Sequence, residues 1–537
     1  MSADSISTVR NGEKVNLADL PSVVFDEFRA TILSAVEAGA HLSALFGAVV
    51  SEAGSRRGRK AADPGGLRLF AMLAREAEGT LTLTSTRIGD NYAALTPDCP
   101  QAHWFEREIA EQWGIRPDGH PWLKPIRFHP SYRGSGTGVS PVSFAKDKSA
   151  SEPETYGRDA HATTIQPGVT DYFGMTGEEV HEVAVGPVHA GIIEPGHFRF
   201  QCHGEKVYHL EISLGYQHRG LERALVGGPN KRTIPYMETL AGDTTIGHTL
   251  AYCEAVEALA TCRVPARAQV LRAIALELER LANHTGDLGA LAGDVGYLPT
   301  ASFCGRVRGD FLNLTALICG NRFGRGLVRP GGVLFDLDEI RLAQFKERLE
   351  QARQDVTNAV NLLWEAPSVR SRFENAGPVS RDTALALGLV GVAARASGIE
   401  RDVRAQFPSG IYRFAQIPVS LYHSGTVFAR AHVRWMEIQR SLAFIFDQLK
   451  ALPEGPVQAE IGPLATNHAV VSLTEGWRGE ICHVALTDAA GKFAHYKVVD
   501  PSFHNWMGLA MALRDQQISD FPLCNKSFNL SYCGHDL

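Results

Sequence analysis

The chain has 537 residues, of which 44% are hydrophobic and 8% aromatic, and its formal net charge is −6 at pH 7. This length and composition suffice for two or three domains with hydrophobic cores, and the slightly acidic balance gives no reason to expect a nucleic-acid partner. The nine cysteines form no C-x-x-C pair, which argues against a local zinc, iron–sulfur or thioredoxin-type site and fits a reducing cytosol.

The first twenty residues lack an apolar run, and no apolar stretch long enough to cross a membrane follows them. We therefore expect neither a membrane span nor an ordinary signal peptide.

Residues 1–133 are predicted to form a small α+β domain. Charged and apolar residues alternate at helical spacing from Phe25 to Val50. The strings LRLFAML and TLTLTSTRI, at residues 67–73 and 80–88, have the alternation and β-branched content of strands.

This domain ends in the string AHWFEREIAEQWGI at residues 102–115, which predicts a helix stopped by Gly114. Trp104, Glu108 and Glu111 fall on one side of it and Phe105, Ile109 and Trp113 on the other. With the following GHP, the string resembles the signature of the small (30 kDa) subunit of respiratory complex I. We expect it to dock a neighbour rather than to do chemistry.

Residues 134–176 are rich in Gly, Ser, Thr and charge, which predicts an inter-domain linker. Residues 177–537 are predicted to form a mainly α-helical domain with β-hairpins near its ends. Helical patterns cover residues 249–261, 266–288, 337–364 and 427–449, and a hairpin is expected through residues 203–205.

On the second of these helices, Glu277, Arg280 and His284 recur at helical spacing. The pattern suits a hydrogen-bonded relay and equally an amphipathic bundle helix; we favour a structural role.

The stretch from Glu194 to Leu259 is denser in titratable groups than a core segment should be. Any one of its histidines alone is best interpreted as exposed or internally satisfied, but the set predicts a functional site. The set comprises His197, His203, His209, His218, His248, Arg219, Glu222 and Asp243.

The strings EPGHFRF, HRGLER and HTLAYCEAVEAL in this stretch resemble the large subunit shared by formate hydrogenlyase-type, membrane-bound nickel–iron hydrogenases and the 49 kDa quinone-site subunit of complex I. Small and large modules on one chain also resemble the formate hydrogenlyase arrangement. The resemblance implies a hydrogenase-large-subunit-like fold for residues 177–537 and a complex I 30 kDa-like fold for residues 1–133.

The resemblance also implies that ligands are missing. In the hydrogenases, two cysteine pairs hold nickel and iron; the corresponding positions here are Ala241, Thr244, Ser531 and Gly534. No methyl, hydroxyl or hydrogen replaces a thiolate, and shifting the register to use Cys533 supplies one ligand only. The chain stops at Leu537, about where hydrogenase precursors are cut, so we expect no maturation peptide and no nickel–iron centre.

By the same resemblance, His197 matches a histidine that meets a quinone headgroup, while the expected second contact, a tyrosine, is replaced by Gly242-Asp243 with Tyr236 several residues early. Glu222 takes the place of a hydrogenase glutamate near the metal and the proton exit; a helix-surface pairing with arginine is the alternative. Arg478, which follows Trp477, matches an arginine that reaches over the active site, and a buried arginine needs an anionic partner.

We therefore predict a subunit of a membrane-associated redox or ion-translocating complex, of the NADH- or quinone-oxidoreductase type and hydrogenase-related, with quinone and NAD binding among the properties of such assemblies. The chain carries no cofactor of its own in this prediction, and a quinone is the candidate ligand, contacted by His197 and Arg478. The residues expected to pass protons or to contact that ligand are His197, His218, Glu222, Asp243, His248 and Arg478.

The expected partners are an iron–sulfur small subunit, whose cluster carries the electrons, and membrane-arm subunits that hold the chain on the cytoplasmic face of the cell membrane. Two alternatives remain at this point: the catalytic large subunit of a group 4 nickel–iron hydrogenase, and a purely structural adaptor of such a complex. Whether the chain is itself an enzyme stays open.

Overall fold

The computed structural model describes residues 6–49, 66–132, 171–189 and 193–537. The fold is mixed α and β, as predicted. The strands are β1 (Ser7–Val9), β2 (Lys14–Asn16), β3 (Ser22–Val23), β4 (His41–Val49), β5 (Leu67–Arg75), β6 (Thr80–Arg87), β7 (Asn91–Ala93), β8 (Arg116–Asp118), β9 (Val180–Val185), β10 (His197–His203), β11 (Lys206–Ser213), β12 (Val328–Arg329), β13 (Gly332–Val333), β14 (His468–Glu475), β15 (Glu480–Thr487) and β16 (Phe493–Val499).

The helices are α1 (Phe25–Glu37), α2 (His103–Trp113), α3 (Leu221–Leu225), α4 (Thr233–Met237), α5 (Thr245–Ala260), α6 (Ala266–Asp294), α7 (Leu298–Cys319), α8 (Glu339–Glu365), α9 (Pro367–Glu374), α10 (Arg381–Leu387), α11 (Gly391–Ala396), α12 (Val403–Gln406), α13 (Val427–Lys450), α14 (Pro501–Ala512), α15 (Phe521–Phe528) and α16 (Tyr532–Asp536).

The N-terminal part is built on a sheet in the order β1-β6-β5-β4, with β3 parallel to β6. The predicted strands at residues 67–73 and 80–88 are confirmed as β5 and β6. The helix predicted from Phe25 to Val50 is wrong beyond Glu37: a turn at Gly39, with φ of +96°, leads into β4. Because β4 packs against both α2 and β16, it is buried on both faces and lacks the alternation of a half-exposed strand.

The helix predicted from the string at residues 102–115 is confirmed as α2, and Gly114 ends it in the left-handed conformation with φ of 64°. Residues 104–113 are all buried. Neither side of α2 faces solvent, because one side packs on β4 and the other side's carboxylates enter ion pairs described below.

The C-terminal part is mainly helical, with α6 packed against α5, α7 and α13, and α7 against α8. The four helical patterns predicted there correspond to α5, α6, α8 and α13, and the predicted hairpin is β10–β11. A sheet in the order β16-β15-β14-β2 lies beside α5.

Strand β2 comes from the N-terminal part yet pairs with β14, in the register His468↔Asn16. Nearby, the Asn11 side chain exchanges hydrogen bonds with the backbone of Leu473, at 2.9 and 2.8 Å. The two predicted domains therefore share a sheet. Their boundaries, 1–133, 134–176 and 177–537, stay predictions, and most of the predicted linker, residues 134–170, lies outside the described residues.

Among the described residues, no helix is both long enough and apolar enough to cross a membrane.

Candidate functional site

The C-terminal segment, residues 529–537, lies in the interior and touches the elements that carry the predicted site residues. Its last four residues are buried. The Asp536 carboxylate accepts hydrogen bonds from the backbone N–H groups of Gly215 (2.8 Å) and Gln217 (2.9 Å). These bonds hold the segment against the loop that follows β11.

The four positions that the resemblance pairs with metal ligands lie just before α5 and at the start of α16: Ala241, Thr244, Ser531 and Gly534. Thr244 Oγ1 accepts hydrogen bonds from Trp477 Nε1 (3.2 Å) and Arg478 Nη1 (3.3 Å). Ser531 Oγ accepts from the Gly534 N–H at 2.9 Å and so caps α16. Both hydroxyls are therefore used within the protein.

Gly534 packs directly against the carboxyl group of Asp500. A Cβ atom at Gly534 would lie 2.7 Å from the Asp500 Cγ atom, closer than non-bonded carbons approach each other. Any side chain at this position, a cysteine included, requires Asp500 to move.

Cys533 is the remaining sulfur in this region. Its Sγ atom lies 3.5 Å from Ser531 Oγ and near the Glu194 carboxyl group. Burial, reinforced by Glu194, raises the pKa of this thiol to about 12. Cys533 is therefore protonated near neutral pH and is not a thiolate ligand as it stands.

This donor set does not fit a nickel–iron centre. Such a centre needs soft thiolates, whereas the four positions offer a methyl group, two engaged hydroxyls and a glycine.

Asp243 and Arg478 meet beside these positions in a bidentate ion pair. Arg478 Nη1 and Nη2 lie 2.6 and 2.7 Å from the two Asp243 oxygens, and the guanidinium stacks over Trp477 at 3.9 Å. Arg478 Nε also donates to the backbone oxygen of Asn529 in the C-terminal segment. Burial alone would lower the pKa of Arg478, but the Asp243 carboxylate outweighs it and raises that pKa. The predicted anionic partner of the arginine is thus Asp243.

Asp243 also lines a cleft of about 330 Å³ between α6 and α7. Glu279, half-buried, lines the same cleft and accepts hydrogen bonds from the N–H groups of Ile246 (2.7 Å) and Gly247 (3.1 Å) at the start of α5. Burial raises the pKa of Glu279 to about 8, and the charge of Asp243 adds to the rise. The hydrogen bonds from the two amides oppose this rise but do not cancel it. Glu279 can therefore gain or lose a proton near neutral pH beside Asp243.

His248 belongs to a buried row of hydrogen bonds. His248 Nε2 lies 2.9 Å from Asp500 Oδ2, and His248 Nδ1 lies 3.1 Å from His483 Nε2. His483 Nδ1 in turn lies 2.9 Å from the Tyr496 hydroxyl. Burial lowers the pKa of His483 well below its usual value.

With Asp500 ionised and both imidazoles neutral, this row has one consistent assignment of protons. Burial alone would raise the pKa of Asp500, but the hydrogen bond from His248 and the charge of Arg478 lower it. Each donor then points toward Asp500: the Tyr496 O–H to His483, His483 Nε2–H to His248, and His248 Nε2–H to the carboxylate.

Glu222 lies in a buried cluster of charges. Lys497 Nζ is 3.0 Å from Glu222 Oε1 and 2.6 Å from both oxygens of Glu108 on α2. Gln112 donates to Glu222 at 3.2 Å, and Arg127 pairs with Glu108. The helix-surface pairing considered for Glu222 is therefore wrong, because this residue is 5% exposed and its cationic partner comes from β16.

Burial alone would raise the pKa of Glu222, but Lys497 and Arg127 lower it to about 2. The same cluster is where α2 meets the large module. Glu108, on the predicted docking helix, contacts Lys497 of this same chain.

No hydrogen bond joins His218 or His197 to Asp243 or Arg478 within the described residues. His218 Nδ1 is 2.7 Å from the Asp536 backbone oxygen and its ring stacks on His129 at 4.7 Å; burial lowers its pKa to about 4. His197, at the start of β10, places Nδ1 3.2 Å from the Gly186 oxygen. Its buried Nε2 has no hydrogen-bond partner among the described residues.

Glu277, Arg280 and His284 lie in the interior of the protein rather than on a solvated helix face. Glu277 accepts from Arg280 (3.0 Å) and from the Tyr412 hydroxyl (2.8 Å), and His284 Nε2 is 2.9 Å from Glu437 Oε2. These bonds join α6 to α13 and the loop before it.

The sequence analysis did not identify three residues of the candidate site: Asp500, His483 and Glu279. Asp500 carried a signal, since an Asp directly before a Pro at the start of an apolar helix is an N-cap pattern, and its carboxylate does accept from the Ser502 N–H at 2.8 Å. His483 is one of several buried residues along β15, and no pattern distinguishes it.

Two family profiles match the chain. The profile of the 49 Kd subunit of the respiratory-chain NADH dehydrogenase matches residues 294–467, and that of the 30 Kd subunit of the same enzyme matches residues 50–141.

Three relatives illustrate the range of similar proteins. The chain is 31% identical over 351 residues to the carbon monoxide-induced hydrogenase of Rhodospirillum rubrum, covering 65% of this chain and 97% of that one. It is 28% identical over 444 residues to formate hydrogenlyase subunit 5 of Escherichia coli, covering 82% and 76%. It is 32% identical over 370 residues to NADH-quinone oxidoreductase subunit 4 of Thermus thermophilus, covering 64% and 90%.

Proposed function

The chain belongs to the family that joins the hydrogenase large subunits to the 49 kDa subunit of the respiratory NADH dehydrogenase, fused to a 30 kDa-type module, and from this we propose that it serves without a nickel–iron centre in a membrane-associated complex of that kind. It docks an iron–sulfur small subunit there and passes protons or binds a quinone-like ligand.

The observation that carries this proposal is the Asp243–Arg478 ion pair. It stands where the resemblance puts the metal ligands, with distances of 2.6 and 2.7 Å. Thr244 Oγ1 donates to Asp243 Oδ1 (3.2 Å), and Trp477 Nε1 donates to the Asp243 backbone oxygen (3.1 Å). This bidentate pair also binds the C-terminal segment, so it connects the segment before α5 to the segment at the start of α16. In the hydrogenases, thiolates make that connection through the metal.

Proton passage is supported by two sets of groups close to this pair. Glu279 opens on the cleft, and its raised pKa lets it exchange a proton near neutral pH. The row from Asp500 through His248 and His483 supplies hydrogen-bonded atoms at 2.9 and 3.1 Å along which a proton can shift.

A quinone-like ligand is supported by His197. Its buried Nε2 lacks a hydrogen-bond partner among the described residues. Because Nδ1–H donates to the Gly186 oxygen, Nε2 of the neutral ring is an acceptor and suits the hydroxyl group of the reduced, quinol form of such a ligand. Burial lowers the pKa of His197, which favours the neutral ring.

Docking of the small subunit is assigned to the loop at residues 320–335. Arg322 and Arg325 are exposed there beside exposed Leu334 and Phe335, a mixture of cationic and apolar surface that suits a protein partner. Membrane-arm subunits remain part of the proposal through the relatives alone, two of which are named as subunits of larger enzymes.

The deciding experiment measures nickel and iron per chain in the purified complex, with hydrogen uptake assayed on the same sample. We expect no nickel, iron fully accounted for by the partner's clusters, and no uptake. Stoichiometric nickel would replace this proposal with a catalytic hydrogenase subunit. Quinone binding that is lost in His197→Ala and kept in the exposed control His203→Ala would separate it from a purely structural adaptor.

A further inference from the structure

Three buried side chains from separate parts of the chain meet between the two modules: His41 on β4, Glu480 at the start of β15 and His504 on α14. One nitrogen or oxygen atom of each lies within 4.8 Å of the others. None of the three stands at a position that the resemblance assigns to nickel or iron.

These side chains make fewer hydrogen bonds than buried polar groups normally do, although the Gln101 side chain lies close to His41 and Ser43 lies close to Glu480. Both ring nitrogens of His41, Nε2 of His504 and Oε1 of Glu480 have no partner in hydrogen-bonding geometry within the part of the chain that the structure describes. The gap between His41 Nε2 and Glu480 Oε1 is 3.6 Å, too long for a hydrogen bond. Such a cluster is unfavourable unless something binds to these atoms.

The donors match those of a zinc site. Two imidazole nitrogens and one carboxylate oxygen suit Zn²⁺, whereas Mg²⁺ and Ca²⁺ prefer oxygen alone. In a tetrahedral site with bonds of about 2.1 Å, neighbouring ligand atoms are about 3.4 Å apart. The His41–Glu480 distance of 3.6 Å is already close to that edge, and small side-chain rotations bring His504 in.

We propose that His41, Glu480 and His504 bind a divalent transition-metal ion, with Zn²⁺ as the first candidate. The ion ties the N-terminal sheet to the elements of the candidate site, because Glu480 follows Arg478 by two residues and His504 follows Asp500 by four. Three protein ligands leave a fourth position for water.

The surroundings allow this charge. Arg401, the cation whose charge acts on both histidines, is paired with Glu76. Burial raises the pKa of Glu480 to about 7, and a bound dication stabilises its ionised form. His504 also lines a cleft of about 250 Å³ together with Gln101 and Met507.

The test is metal analysis of the full-length chain, purified through a tag without histidine and without chelators. We expect about one zinc per chain in the wild type, reduced at least about tenfold in Glu480→Gln and His504→Asn. The matched control is His495→Asn, which changes a buried histidine whose Nε2 also lacks a partner but which lies outside the cluster. This control should keep its zinc.

Three results would overturn the proposal: no stoichiometric zinc in the wild type even after its addition, zinc retained in both folded variants, or sulfur in the metal's coordination shell. The last is read by zinc-edge X-ray absorption on the wild type, so it decides the matter even where the variants do not fold. A shell of two imidazoles with oxygen supports the proposal.

Discussion

Glu277 and Glu279 stand two positions apart on α6 and meet opposite environments. Glu277 is fully buried and accepts from Arg280, Arg404, Tyr412 and Ser441. Glu279 faces the cleft beside Asp243 and holds a raised pKa of about 8. Helical spacing separates the directions of the two side chains, but it does not say which of them meets cations.

Glu279→Gln is expected to stabilise the protein increasingly as the pH rises. The folded-state pKa of about 8 lies above the ordinary 4.5, so the wild type loses stability as the pH rises from about 4.5 to about 8. Glutamine stays neutral and avoids that loss. The difference in free energy of unfolding between variant and wild type should grow by at least about 1 kcal/mol from pH 5.5 to pH 8.5.

Thermal unfolding at several pH values measures this difference. The exposed Glu347→Gln on α8 is the control and should show no such trend. Parallel pH profiles for Glu279→Gln and wild type would contradict the raised pKa.

At the residue scale, the sequence indicated which residues belong to the candidate site better than it indicated which residues they contact. Arg478 was expected to need an anion, and Asp243 provides it. Glu222 was expected near a proton exit, but Lys497 and Arg127 hold it ionised. Its partners come from residues more than ninety positions away, and nothing in local spacing encodes them.

At the scale of elements, the C-terminal segment is packed too tightly at Gly534 to accept a thiol. Gly534→Cys is expected to destabilise the protein by about 2 kcal/mol or more, because its Cβ would lie 2.7 Å from Asp500 Cγ and displace the partner of His248. Ser531→Cys removes only a helix cap and should cost about 1 kcal/mol.

Thermal unfolding of the two variants, side by side, tests this. Equal stability of the two variants would mean that Asp500 can move at little energetic cost and that the start of α16 has room for a second sulfur.

Elements with a regular apolar period were predicted well, among them α2, α5, α6, α8 and α13. Strand β4 was misread as helix because both of its faces are buried, which removes the period-two signal and leaves a continuous apolar run. The covering comes from α2 and β16, and β16 lies more than four hundred residues further along the chain.

At the scale of the whole molecule, Lys497 holds the two modules together between Glu108 and Glu222. Lys497→Met leaves two buried carboxylates without this cation and is expected to lower the free energy of unfolding by about 3–5 kcal/mol at pH 7. Because the pKa of Glu222 is lowered to about 2 in the fold, its contribution is fully present above about pH 4.5 and is lost progressively as the pH falls from there toward 2.

The loss in Lys497→Met should therefore shrink as the pH falls below about 4.5, which denaturation at pH 7 and pH 4 can measure. Lys492→Met, at an exposed position just before β16, is the control with little effect. A loss that does not change with pH would contradict the charge cluster as its cause.

The pairing of β2 with β14 has a consequence for the order of events during synthesis. The Asn11 side chain meets Leu473 across 462 residues of chain. At 5–20 residues per second, the ribosome needs roughly 20–90 s to make the partner strand after β2 has emerged. Throughout that interval the nascent chain presents an unpaired strand. We therefore expect a chaperone that binds extended segments to be found on its first twenty residues and to leave them only once β14 has been made.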